Sequence, residues 1–168
     1  MENLDLIWNY YSNENPVSIR MLSIEKEMLR FQYLKERTLT NEIVLKAGYE
    51  YISSTFYKHE IPTESEIEYA INHIEDELMS SKELLNNNEK LVCTDNLLIE
   101  LLRKNGEFKE TYSSRNIEDI FSKYANLSMG EPLARSGLST TKDDFAIILA
   151  LREIMHHLKF KEISILEI

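Results

Sequence analysis

The sequence predicts an α/β domain, on three observations. Short β-branched or apolar runs at Thr38–Leu45, Lys90–Cys93 and Ile163–Ile168 have the length and composition of strands. Longer amphipathic stretches with capping signals at Thr63 and Thr141 have the period of helices. Both kinds are interspersed along 168 residues, enough chain for one domain with a real core.

Taken in order, Leu4, Leu6, Ile7, Trp8 and Tyr11 make a short amphipathic start that Pro16 separates from the rest. Residues 17–47 admit two readings. Ile24, Met28 and Phe31 fit helical spacing, and propensity favours a helix over Ile24–Arg37. Val17, Ile19 and Met21, then Leu29, Phe31 and Tyr33, fit strand alternation instead. A helix there would make the domain mostly α. Gly48 precedes a short helix, Tyr49–His59, stopped before Pro62. Thr63 and Glu66 have capping-box spacing, and Ile67, Ile71, Ile74 and Leu78 then form one buried stripe. Glu68, Glu75 and Asp76 lie opposite, and Asn86–Asn88 ends the helix. Asp95 is placed to cap a helix over Leu97–Lys104, closed by Asn105 and Gly106. Ser114 starts another, with Ile117, Phe121 and Tyr124 on one face. Ser128–Thr140 is loop-like, holding Gly130, Pro132 and Gly137. Thr141 and Asp144 repeat the capping-box spacing before a helix that is apolar nearly all round, which suits the centre of a core.

Bulk composition narrows the function. Lys and Arg number 19 against 29 Asp and Glu, a net charge of −10. That sign opposes nucleic acid and anionic lipid, which need clustered cations. No apolar run approaches the roughly 20 residues that span a bilayer. The N-terminal stretch carries Glu2, Asp5 and Glu14 with no basic region, unlike a signal peptide. A single cysteine, Cys93, fits a reducing, cytoplasmic setting.

Candidate chemistry is sparse. The chain has four glycines and no GxGxxG, Walker A, HExxH or GxSxG string. His156 and His157 are adjacent on a helix and point about 100° apart, so they suit the helix dipole rather than a shared metal. His73 and Glu77 make a solvated pair one turn apart. Cys93 sits in an apolar run without a CxxC partner and is expected to be a buried structural thiol. No metal and no cofactor are expected.

The segments in order resemble the second half of the exopolyphosphatase and guanosine pentaphosphate phosphohydrolase family, within the actin-like, sugar-kinase-like ATPase superfamily. The resemblance runs from about Val17 to the end, leaving 1–15 as an extension, and rests on degraded motifs. Val17–Leu29 is similar to a strand, a glycine-rich phosphate turn and a second strand. Glu27 falls where the family has Glu, Arg20 replaces an Asp, and Leu22, Ser23 and Ile24 replace glycines. Leu45–Gly48 resembles the next strand end, its glycine kept, and Ile61–Ile67 the loop and acidic helix start that follow. Leu91–Asn96 is similar to a strand leading into a Gly-Thr-Gly-Gly turn, of which Thr94 survives. Leu138–Ile165 is the best match, with Lys142 at a family Arg, Asp144 at the Asp, and Leu149 where a glycine lets the helix approach ligand.

This resemblance implies a ribonuclease H-like single lobe: a mixed sheet of about five strands with helices on both faces. It also implies two antiparallel strands at about 17–21 and 28–34. Glu27, Thr94, Asp95, Asn96, Lys142 and Asp144 would be the remnants of its ligand site. Bulky Leu22, Ile24 and Leu149 stand where backbone N–H groups would meet phosphate. The family's companion half, with the other phosphate loop and the general base, has no counterpart here. The expected function is therefore a non-catalytic domain acting through a protein partner or as a homodimer, with no phosphate-containing ligand. One lobe of a split phosphohydrolase, using Mg²⁺, is the enzymatic alternative, and a helical adaptor is the third.

Overall fold

The computed structural model of the chain describes residues 2–11, 13–14, 18–85, 89–138 and 140–168. Its strands are β1 (Ser18–Ile24), β2 (Leu29–Lys35), β3 (Thr38–Leu45), β4 (Lys90–Cys93), β5 (Thr111–Ser113) and β6 (Glu162–Ile165). They form one mixed sheet in the order β3-β2-β1-β4-β6-β5. The first three make an antiparallel meander, β4 and β6 extend it in parallel, and β5 closes the far edge antiparallel. The sixth strand, β5, is absent from the sequence reading because it has three residues, of which only Tyr112 is buried.

Residues 24–37 hold β2 between two turns, not a helix. Leu29 and Phe31 are both fully buried on one side of β2, a period of two. Lys35 and Thr38 face each other across a two-residue turn in which Glu36 and Arg37 both take positive φ, 50° and 64°. That handedness matches the twist of a hairpin, yet neither residue is the glycine or asparagine that usually announces it. The strands implied by resemblance at about 17–21 and 28–34 are therefore present; Val17 itself lies outside the described residues.

The helices are α1 (Glu2–Tyr10), α2 (Tyr49–Phe56), α3 (Glu64–Met79), α4 (Asn96–Lys104), α5 (Ser114–Ser128), the short α6 (Leu133–Ser136) and α7 (Lys142–His157). Asn86–Asn88 fall outside the described residues; α3 has already ended at Met79. Alternation along β1 divides the core in two. Ile19 and Met21 face one side, where Ile7 and Trp8 of α1 and Tyr11 just after it cover them together with Leu34, Val92 and Leu166. Leu22 and Ile24 face the other side, in a larger core built with side chains of α2, α3, α4, α5 and α7. At its centre α7 packs on α2, α3 and α5, which is why its sequence is apolar all round.

Both predicted capping boxes form, at Thr63 with Glu66 and Thr141 with Asp144. A third caps α5, which starts at Ser114 as the sequence predicts, with Ser113 as its Ncap. Arg20 and Glu153 are almost fully buried. Arg20 lies between the rings of Tyr33 and Phe160, 4.6 and 5.2 Å from their centroids. Its Nη1 donates to the Leu84 carbonyl at 2.8 Å and its Nη2 meets Glu89 Oε2 at 3.1 Å. Glu153 on α7 is held by Arg152 and by His157 Nε2.

Candidate functional site

The parallel strands β1, β4 and β6 end on the same side of the sheet, where ligands of open α/β folds usually bind. The β1–β2 turn, the β4–α4 turn and the first residues of α2 and α7 meet there. What dominates this end is backbone closure. Glu25 N donates to Met28 O at 2.9 Å, closing the turn. The amides that open α2 then donate into it: Tyr49 N to Glu25 O, and both Glu50 N and Tyr51 N to Lys26 O. Gly48 N adds a bond to Glu27 O at 3.1 Å. A helix N-terminus with free amides is an anion site, but here turn carbonyls occupy them.

Gly48 makes this contact possible. A Cβ at that position would sit 2.3 Å from Glu27 C and Met28 N and 2.4 Å from Glu25 O. Its φ of −68° is ordinary, so close backbone approach rather than conformational freedom requires the glycine.

Asp95 brings the second turn into the site. It occupies the Ncap position of α4, yet its side chain makes no capping bond. Oδ2 instead accepts from Ile24 N at 2.6 Å, so the expected cap is replaced by a clamp between β1 and β4. Burial pushes this carboxyl up from its usual range, against the Ile24 amide and the Cys93 thiol, which pull it down. Burial likewise raises the Cys93 thiol well above its ordinary value, as suits a structural cysteine.

At the head of α7, Asp144 serves its own helix. Oδ2 accepts from Thr141 N at 3.1 Å and meets Lys104 Nζ at 3.3 Å. Asp143, which the sequence did not single out, accepts a hydrogen bond from Ser53 Oγ and ties α7 to α2. Its charge also acts on Lys26 and Tyr49, which places it beside the β1–β2 turn. Lys142 makes no ion pair or hydrogen bond among the described residues.

The sequence-predicted residues therefore divide. Asp95 reaches the end of β1, next to the turn. Glu27 contributes its carbonyl while its side chain is exposed. Thr94 is half-buried and Asn96 exposed beside Asp95. Leu22, Ser23 and Ile24 lie within β1 rather than in the turn, which is residues 25–28. Leu149 is buried mid-helix in α7. Arg20 is not at this end at all; Leu84, Glu89 and Phe160 hold it at the opposite one.

His73 and Glu77 are not merely a solvated pair. His73 Nε2 meets Lys46 O at 2.7 Å and Glu77 Oε2 accepts from Lys46 N at 2.9 Å, so both grip the chain leaving β3. Among the described residues, no three His, Cys, Asp or Glu side chains converge to hold a metal ion, and no helix is long and apolar enough to cross a membrane.

No protein-family model matches the chain, and no curated protein matches it by sequence. Solved structures do. One of a Ppx/GppA family member from Aquifex aeolicus aligns with a TM-score of 0.71 at 15% identity, over 96% of this chain and 56% of that one. An exopolyphosphatase-like protein aligns with a TM-score of 0.74 at 7% identity, over 93% and 57%. An exopolyphosphatase from Cytophaga hutchinsonii aligns with a TM-score of 0.64 at 12% identity, over 91% and 54%. This chain thus spans little more than half the length of the structures it matches, and its fold is that of one lobe of Ppx/GppA-type proteins.

Proposed function

We propose that the chain is a non-catalytic, exopolyphosphatase-like domain that acts by binding a protein partner or a second copy of itself. One observation carries this reading: the β1–β2 turn, the opening amides of α2 and the carboxylates of the candidate site bond to one another within the chain. Asp95 takes the Ile24 amide, turn carbonyls take the opening amides of α2, and Asp143 and Asp144 accept from Ser53 and Thr141. A phosphate bound against the turn would have to displace these bonds. Met28 on the turn and Leu97 at the head of α4 are both exposed there, and exposed apolar side chains suit a protein surface better than an anion.

Light scattering coupled to size exclusion tests this. Association that disappears in a Met28→Asp, Leu97→Asp variant is expected. A strict monomer with no co-purifying protein would overturn the proposal.

The split-phosphohydrolase reading retains one supporting observation, the unpaired Lys142 at the head of α7. On that reading, polyphosphate or guanosine pentaphosphate with Mg²⁺ raises the melting temperature and Lys142→Ala abolishes the shift. A flat screen removes it.

A further inference from the structure

We propose that a cleft at the opposite end of the sheet, between the head of α5, the tail of α7 and the connection into β6, binds a small, multiply charged oxyanion. The cleft has a volume of about 710 Å³, the size of a small-molecule site. Ile117, Met155 and Phe160, all buried, form its floor. Arg115, Lys159 and Lys161 line it with exposed side chains that make no ion pair or hydrogen bond among the described residues, and His156 is exposed beside them. Its one carboxylate, Glu118, is already engaged by Arg152 at 2.9 Å. A smaller adjoining cleft of about 370 Å³ shares Lys159, Phe160 and Lys161 and adds Lys90, Glu89 and Glu162. Lys90 is paired with Glu14 and Glu89 with Arg20.

The sign of this cleft runs against the rest of the chain. With 29 acidic residues against 19 basic ones, an average surface cation has carboxylates to spare. Three unpaired cations from two separate segments nevertheless converge on one concave wall. The fold fixes them there. Phe160 N donates to Met155 O after Leu158 caps α7, and Lys159 takes a left-handed φ of 57° in that turn. Ser114 N donates to Lys161 O, which pins the head of α5 against the same turn. The α5 N-terminus then adds its partial positive charge to the cations. Arg115 supplies a planar fork and the lysines supply point charges, a set that suits two or more oxyanion groups on one compact ligand. Phosphoryl and carboxylate ligands share that chemistry.

Isothermal titration with pyrophosphate and with citrate, at low salt, tests the site and separates the two sources. One of them binds, and an Arg115→Ala, Lys161→Ala variant binds it at least tenfold more weakly. Neither side chain makes an ion pair or hydrogen bond among the described residues, so the variant stays folded, with a melting temperature close to the parent's. Lys142→Ala, at the other end of the sheet, leaves this binding unchanged, which distinguishes the cleft from the split-enzyme site. No binding of either anion at millimolar concentration would overturn the proposal. Binding that survives the double substitution, or that Lys142→Ala removes, would overturn it equally.

Discussion

Two residues decide how the candidate site is built. Gly48 lets the backbone of the β1–β2 turn lie against α2, and its φ carries no strain. Gly48→Ala therefore acts by collision alone, and its neighbours are backbone atoms that cannot rotate away. A loss of about 3 kcal/mol is expected, read as a lower urea midpoint at unchanged slope. Asp95 raises an electrostatic question. Burial lifts its carboxyl above 3.8, so the folded state holds a proton that the unfolded chain releases first. Such a group stabilises fully below its unfolded value and loses that contribution as pH rises through its folded value. At neutral pH the charge is a cost, offset only in part by the Ile24 amide. Asp95→Asn keeps an oxygen acceptor for that amide and removes the charge. The variant should melt above the parent at pH 7, with the gap closing as pH falls toward 4. A variant that melts below the parent at pH 7 would show that the charged bond outweighs its desolvation.

At the scale of elements, legibility followed locality. The helices α3 and α7 declare themselves through capping boxes and apolar spacing, both within a few residues of chain. Residues 24–37 carry two competing periods, and pairing on both sides decides between them: Leu29 and Phe31 pair with Ile24 and Leu22 on one side and with Leu45 and Ile43 on the other, while β1 is in turn held by Leu91 and Cys93 from distant chain. The hairpin after β2 would have settled the matter had it held Asn-Gly, but it holds Glu36-Arg37. Replacing that pair with Asn-Gly should stabilise the domain by about 1 kcal/mol, since left-handed backbone costs other residues roughly that much. Thermal melts will show it, and a loss would mean that the turn is not of this type. The site was legible only as a set of turns. Thr94–Asn96 could be placed after a strand, but the bond from Asp95 to Ile24 spans 71 residues and no local spacing announces it. Asp143 was missed for the same reason, its partner Ser53 lying on another helix. The helix α1 offers a separate test. Among the described residues it is the one helix packed on its face of the sheet, and Trp8, the one tryptophan, is buried on its inner side. A thinly covered face opens before a thick core. Trp8 emission should shift at lower urea than the far-ultraviolet circular dichroism, and coincident transitions would make α1 part of one cooperative unit.

Across the whole molecule, two electrostatic effects oppose each other, and salt reveals which is larger. A net charge of −10 on 168 residues favours expansion through self-repulsion. Against it stand the ion pairs. Lys26–Glu50, Lys90–Glu14 and Arg103–Glu167 are solvated, and pairs of that kind contribute about 0–1 kcal/mol each. Arg20–Glu89 and Arg152–Glu153 are shielded by burial and respond little to added ions. Screening therefore removes little attraction, while it weakens repulsion among many like charges spaced within about a Debye length. Raising NaCl from about 10 mM to about 150 mM shortens that length from about 30 Å to about 8 Å. The melting temperature should rise over that range in a buffer free of multivalent anions. That restriction matters because an anion bound in the Arg115–Lys161 cleft would raise it through a second route. The Arg115→Ala, Lys161→Ala variant separates the two. Its NaCl response should equal the parent's or exceed it, because removing two cations deepens the negative charge. A parent whose melting temperature falls with NaCl would show that the surface ion pairs outweigh the self-repulsion.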